Sequence, residues 1–173
     1  ALIFVLLGCG SKSKENTSKS GENGEIRIGI VQLIEHPALD DIREGFLEKI
    51  KDLGIDAKID YQNAQGDIAT ARTISEKFVS DKVDLIFAIA TPAAQAAKAA
   101  SNEIPILFGA VTDPLAADLV DSMEKPGANV TGTSDAANMD KQFSIFKALD
   151  PSIEKIGIIY TADEANSFAQ LKE

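Results

Sequence analysis

From Glu25 onward, short apolar runs alternate with longer stretches in which apolar residues recur every three or four positions. Ile26-Arg-Ile-Gly-Ile-Val31 reads as a strand. Leu39, Ile42, Phe46, Leu47, Ile50 and Leu53 then repeat at helical spacing, and Gly54 supplies a stop. Ile55 to Tyr61 alternates like a strand near a sheet edge, and Ile68, Ala71, Ile74 and Phe78 mark a second helix. Val83 to Ile89 is a nearly continuous apolar run, the pattern of a central parallel strand covered on both faces. An Ala-rich helix over Ala93 to Ala100 precedes a further buried strand, Ile104 to Val111. Asn129 to Thr133 predicts a shorter fifth strand. A helix through Met139, Phe143, Phe146 and Leu149 must end before Pro151.

Strands alternating with helices of about 10 to 15 residues predict βαβ units. The fold class is therefore α/β: a doubly wound parallel sheet of order 2-1-3-4-5 over residues 25–134. Ile153-Glu-Lys-Ile-Gly-Ile-Ile-Tyr160 echoes the opening Glu25-Ile-Arg-Ile-Gly-Ile-Val31. That echo predicts a strand and the start of a second α/β lobe over 135–173. One strand and part of a helix fall short of a core, so this second lobe is expected to be incomplete in the chain.

Ahead of Glu25 the pattern changes. Residues 10–24 are Gly, Ser, Lys, Glu, Asn and Thr, with nothing apolar to bury, and read as a flexible tether. Before them, an apolar stretch closes on Leu6-Leu7-Gly8-Cys9, which resembles the lipobox of bacterial lipoproteins. In that pathway the thiol is alkylated with a diacylglycerol and the peptide is cut before the cysteine. The expectation is a partial signal peptide over 1–8, lipidation of Cys9, and a tethered protein outside the cytoplasmic membrane. The stretch is shorter than the about 20 apolar residues a bilayer span needs. A buried segment with a core cysteine is the alternative, but a core strand should not lead into so long a polar tract. With no initiating Met and no basic region before it, the chain is expected to be a fragment at this end.

Charge and composition narrow the function. The net charge is −10, while Cys9 to Gly24 carries three Lys against two Glu, so the folded part is more acidic than the total suggests. Nucleic-acid binding needs clustered Lys and Arg to replace phosphate counterions, and is not expected. One Cys and one His cannot build a Cys/His zinc site or a disulfide within the chain.

Three strands end alike, in His36-Pro37, Thr91-Pro92 and Asp113-Pro114. Proline suits the first helical position, and Thr or Asp suits the cap before it. Each pair is expected to start a helix at the carboxyl end of a parallel strand. In the 2-1-3-4-5 order those ends border the crevice where helix direction reverses, and ligands bind there. Helix N-termini offer free N–H groups to a carboxylate or phosphate. Ordinary capping explains any one pair; three on one edge favour a ligand site. Ile30-Val-Gln-Leu-Ile-Glu-His-Pro has neither the dinucleotide fingerprint nor a P-loop. No Gly-x-Ser-x-Gly elbow appears, and no second histidine exists to serve a nucleophile. Asp40 and Asp41, at a helix start, read as complements of the macrodipole.

Five segments in order are similar to a known family: Gly29-Ile-Val-Gln-Leu-Ile-Glu-His-Pro-Ala-Leu-Asp40, Ala90-Thr-Pro-Ala-Ala-Gln-Ala96, Val111-Thr-Asp-Pro-Leu-Ala-Ala117, Asn129-Val-Thr-Gly-Thr-Ser-Asp135 and Glu164-Ala-Asn-Ser167. They resemble the substrate-binding lipoproteins of ABC importers, and within these the tryptophan/tyrosine type. The resemblance covers residues 25–173. It implies a type I periplasmic-binding fold, two α/β lobes hinged around a cleft, in members about twice this length. It further implies a monomer without cofactor or metal, membrane-held through its lipid, that gives an aromatic amino acid to an ABC permease. Thr91, Ser134 and the N–H groups after Pro92 would hold the ligand carboxylate, and Asp113 its ammonium. Asn166 and Ser167 would close from the second lobe, while His36, beside Pro37, would line the side-chain pocket. The chain departs from the family at Thr161-Ala162-Asp163, where Asn-Pro is usual. An enzyme or a sensor using the same cleft is the rival reading; a repressor of this fold would need a helix-turn-helix where the lipobox stands.

Overall fold

The computed structural model describes residues 25–172. The lipobox, Cys9 and the tether expected to follow it lie outside the described residues. Ten elements follow in order. β1 (Ile26–Gln32), α1 (Pro37–Asp52), β2 (Ala57–Asn63), α2 (Ile68–Ser80), β3 (Leu85–Ile89), α3 (Thr91–Ala100) and β4 (Ile106–Val111) alternate strictly. β5 (Val130–Ser134), α4 (Met139–Leu149) and α5 (Ala165–Lys172) complete the set. The five strands form one all-parallel sheet of order β2-β1-β3-β4-β5, as the sequence predicts.

A right-handed crossover places its helix on one face when the chain moves one way along the sheet and on the opposite face when it reverses. The chain moves outward from β1 to β2, then returns past β1 to β3. Accordingly Leu39, Ile42, Phe46, Leu47 and Ile50 of α1 pack against Ile28, Ile30, Phe87 and Ile89. Phe46 and Phe87 stack there with ring centroids 4.2 Å apart. α2 and α3 cover the other face, where Ala71, Ile74, Phe78, Ala93 and Ala97 meet Val31, Ile86, Ala88 and Phe108. Each fully buried large side chain contributes about 1.5–3 kcal/mol, which explains why β3 and β4 tolerate almost no polar residue. The alanines of α3 let that helix lie close to the sheet, since small side chains shorten the interlayer distance.

The structure departs from the sequence reading at three places. Asp113-Pro114 opens no helix: one turn follows, Ala117 N–H donating to the Asp113 carbonyl and Leu119 N–H to that of Pro114. Asp118 closes that turn in the left-handed region at φ 55°, which stops helical propagation. Thr91 is not the cap of α3 but its first residue, and the capping position belongs to Ala90. Finally, 153–160 forms no strand. A strand needs a ladder partner, none lies beside this segment among the described residues, and Ile156, Ile158, Ile159 and Tyr160 are exposed.

Candidate ligand site at the carboxyl edge of the sheet

The carboxyl ends of β1, β3, β4 and β5 are stitched together by backbone bonds. Leu33 N–H donates to the Ile89 carbonyl (3.2 Å), Ala90 N–H to Gly109 (3.0 Å), and Asp135 N–H to Val111 (3.2 Å). The carboxyl ends of these four strands therefore stand side by side, and His36, Thr91, Asp113 and Ser134 lie at them or just beyond them.

His36 caps α1: its Nδ1 accepts from Ala38 N–H at 3.2 Å, and Pro37 takes the first helical position. Both residues are exposed. Thr91 and Pro92 are buried, and the N-terminus of α3 has no side-chain cap. Ala94 N–H is bonded to the Ala90 carbonyl at 3.0 Å. Ala90 itself holds φ 85° and ψ 155°, a combination that is essentially confined to glycine and costs on the order of 1–3 kcal/mol for another residue.

β4 and β5 are out of regular register between Phe108 and Val111, and Ala110 there has φ 53°. Such irregularities re-aim side chains at strand ends. Here the result is that Ser134 Oγ donates to the Thr112 carbonyl at 2.9 Å. Asp113 uses one oxygen, Oδ1, to accept from Leu115 N–H (3.0 Å) and Ala116 N–H (2.9 Å). Asp113 and Ser134 face one cavity of about 190 Å³, together with Thr112, Met123, Ala136 and Ala169. Ala136 also borders a wider recess of about 430 Å³ formed with Ala137, Asn138, Met139 and Asp140.

Ala169 belongs to α5, whose start packs against the core through Ala165. Asn166 lies three residues before Ala169, on the same side of the helix. Its Oδ1 is buried without a hydrogen-bond partner, while its Nδ2 donates to Glu164 Oε2 at 3.2 Å. Ser167 points elsewhere, into a cavity of about 400 Å³ between α4 and α5 that Phe143, Phe146 and Tyr160 also line. The structure thus brings Asp113, Ser134 and α5 together, places His36 and Thr91 at the starts of the neighbouring helices α1 and α3, and separates Ser167 from them.

Sequence reasoning did not find the polar cluster under the first loop. Gln32 is fully buried at the end of β1. Its Nε2 donates to the Ile34 carbonyl (2.8 Å) and to Asp40 Oδ1 (2.9 Å), and its Oε1 accepts from Arg43 Nη1 (2.8 Å). Arg43 also reaches Asp40 (2.8 Å) and the Tyr61 hydroxyl (3.0 Å), with its guanidinium over the Tyr61 ring. Hydrogen bonds from Gln32 and then Arg43 hold the Asp40 carboxyl below the usual carboxylate range, against an opposing effect of burial. A glutamine interrupting Ile-Val-Gln-Leu-Ile, with Asp and Arg three apart on the following helix, was the available signal. Among the described residues no group of His, Cys, Asp and Glu could hold a metal ion, and no helix is long and apolar enough to cross a membrane.

Residues 27–173 match the family model described as ABC transporter substrate binding protein. The chain belongs to this family of substrate-binding proteins. A curated family relative, the tyrosine-binding protein of Clostridioides difficile (strain R20291), is 48% identical over 177 residues, covering 98% of this chain and 51% of that protein. Among solved structures, an ABC domain from Streptococcus pneumoniae in complex with L-Trp is 38% identical with a TM-score of 0.83. That match covers 86% of this chain and 51% of the other. The ligand-free, open structure of a substrate-binding protein with adhesive properties from Clostridium difficile is 50% identical, with a TM-score of 0.69 and coverage of 85% and 51%. The chain therefore spans about half the length of the family members it matches.

Proposed function

We propose that the protein is the extracytoplasmic, lipid-tethered substrate-binding component of an ABC importer, and that it captures an aromatic amino acid at the carboxyl edge of the sheet. The observation that carries this reading is the Asp113 carboxylate, which spends one oxygen on its own turn and faces the cavity shared with Ser134. Supporting it are the 48% identity to a tyrosine-binding protein and the fold shared with an L-Trp complex.

An amino acid presents an ammonium and a carboxylate a few ångströms apart, so its site must offer both polarities. Asp113 Oδ2 supplies the negative pole. The uncapped N-terminus of α3, with the N–H groups of Thr91 and Ala93 and the Thr91 hydroxyl, supplies the positive one. Ser134 adds a hydroxyl beside Asp113, and the unpaired Asn166 Oδ1 on α5 gains a partner when a donor enters. His36 and Pro37 line the approach for the aromatic side chain, and Ser167 contributes after hinge closure of a second lobe. Cys9 carries the lipid, and the polar tract to Gly24 lets the domain reach a permease.

The test is a calorimetric titration of the full-length protein with each of the standard amino acids. Selective binding of Tyr, Trp or Phe is the expected result. Failure of all three, with binding of a neutral sugar or nucleoside instead, removes the assignment. For the anchor, mass spectrometry of native membrane-associated protein should find Cys9 acylated and N-terminal; an unmodified thiol there refutes it.

A further inference from the structure

We propose that Gln32 is a positioning residue for the ligand-facing loop Leu33–Pro37, acting through the Ile34 carbonyl and the Asp40 carboxylate. This inference rests on the amino-acid site above, because the loop it holds ends in His36 and Pro37. Gln32 makes no backbone substitute for these bonds: its amide alone spans the 2.8 Å to Ile34 O and the 2.9 Å to Asp40 Oδ1.

The amide is locked in one orientation by its neighbours. Arg43 can only donate, so the oxygen must face it; the Ile34 carbonyl and the Asp40 carboxylate can only accept, so the nitrogen must face them. A flip would set donor against donor on one side and acceptor against acceptor on the other. Asp40 is bound to the same loop a second time, since its backbone N–H donates to the His36 carbonyl at 2.9 Å. The loop is therefore gripped at Ile34 by the strand side chain and at His36 by the helix, with Gln32 connecting the two grips. Because Gln32 itself is wholly buried, a mismatch at its amide is relieved most directly by moving the loop.

Gln32→Glu tests this. It keeps the shape and the acceptor toward Arg43 but sets a second oxygen against Ile34 O and Asp40. The charged and titratable groups around it are Asp40 and Arg43 from α1, Tyr61 from β2 behind Arg43, and His36 at the end of the loop. Ionised, the introduced carboxylate repels its two acceptors; protonated, it donates to one of them. Burial and Asp40 favour protonation against the pull of Arg43. The quantity to read is the Kd of the variant divided by that of the parent for L-Trp and L-Tyr, since division cancels any titration the two share. The ratio should be about tenfold at pH 8 and below about threefold at pH 5.

His36 is the only histidine in the chain, so its ring proton resonances report the loop without ligand. They should shift or broaden in the variant at pH 8 and return toward the parent's at pH 5. A Kd ratio that does not change with pH, whatever its size, or His36 resonances that match the parent's throughout, overturns the proposal. If the parent binds neither amino acid, the amino-acid assignment fails and the His36 signal alone decides the role of Gln32. Should the variant not fold, Asp40→Ala replaces it: the same resonances must move, and unmoved resonances overturn the proposal equally.

Discussion

Gly29 and Phe78 compete for one volume: a Cβ on Gly29 would stand 2.6 Å from the Cγ and Cδ2 atoms of the Phe78 ring. The ring has no route of retreat, because Phe78 is fully buried between α2 and the sheet. Gly29→Ala should therefore lower unfolding free energy by about 1–3 kcal/mol, the usual penalty for overpacking. Urea denaturation followed by far-UV circular dichroism measures it. An unchanged midpoint would mean that α2 shifts freely on the sheet.

Asp113 combines two duties that one substitution separates. Asn at this position caps the turn about as well as Asp, so stability should hold within about 0.5 kcal/mol. Loss of the charge should weaken amino-acid binding about 10- to 150-fold, the equivalent of roughly 1.5–3 kcal/mol for a charge-assisted hydrogen bond. Calorimetric titration of Asp113→Asn against Tyr and Trp decides; parental affinity would leave Asp113 as a cap alone.

At Ala90 the backbone adopts a glycine conformation without a glycine. Ala90→Gly should raise stability by about 1 kcal/mol, as relief of strain exceeds the entropic cost of glycine in the unfolded chain. A fall in thermal midpoint instead would show that the methyl group, which packs on the larger core cluster, outweighs the strain.

Acid should destabilise the fold through identifiable carboxylates. Asp60 is held below its ordinary pKa by Lys77 and then Gln62, and Asp67 by the Thr70 N–H it caps. A depressed folded pKa means that the unfolded chain binds protons first, at about 3.9 for Asp. The stabilisation is thus complete above that value and lost as pH falls through the lower folded values. Asp60→Asn/Asp67→Asn should melt lower than the parent at pH 7, yet lose less of its midpoint between pH 5 and pH 3. Parallel curves would place the acid sensitivity elsewhere.

The strand order was legible because period and composition alone separate the buried runs of β3 and β4 from the amphipathic helices around them. Boundaries were less so. Ile55, read as the start of a strand, donates its N–H to the Ile50 carbonyl in the turn that closes α1, so β2 begins at Ala57. Asp113-Pro114 carried a correct capping signal, but a cap starts a turn whether or not the turn propagates, and Asp118 ends it. The alternation in 153–160 matched that of β1, but alternation describes faces, whereas a strand is defined by its partners. His36, Thr91 and Asp113 could be placed on one edge because topology fixes where strands end. Gln32 could not be linked to Asp40 and Arg43, since nothing local in a strand residue names the helix side chains it will meet eight and eleven positions later.

The position of β1 between β2 and β3 has a consequence in time. Ile28 pairs with Ile59 on one side and with Leu85 on the other, so the first strand has both of its neighbours only once β3 has emerged. Closing such long loops before any pairing rewards them makes parallel sheets slow to form. For a chain proposed to cross the cytoplasmic membrane, slowness is an asset: a polypeptide whose first strand gains its second neighbour late stays threadable through a narrow export channel for longer. The same arrangement that brings the strand ends to one edge in the finished protein thus delays the moment at which the chain becomes compact.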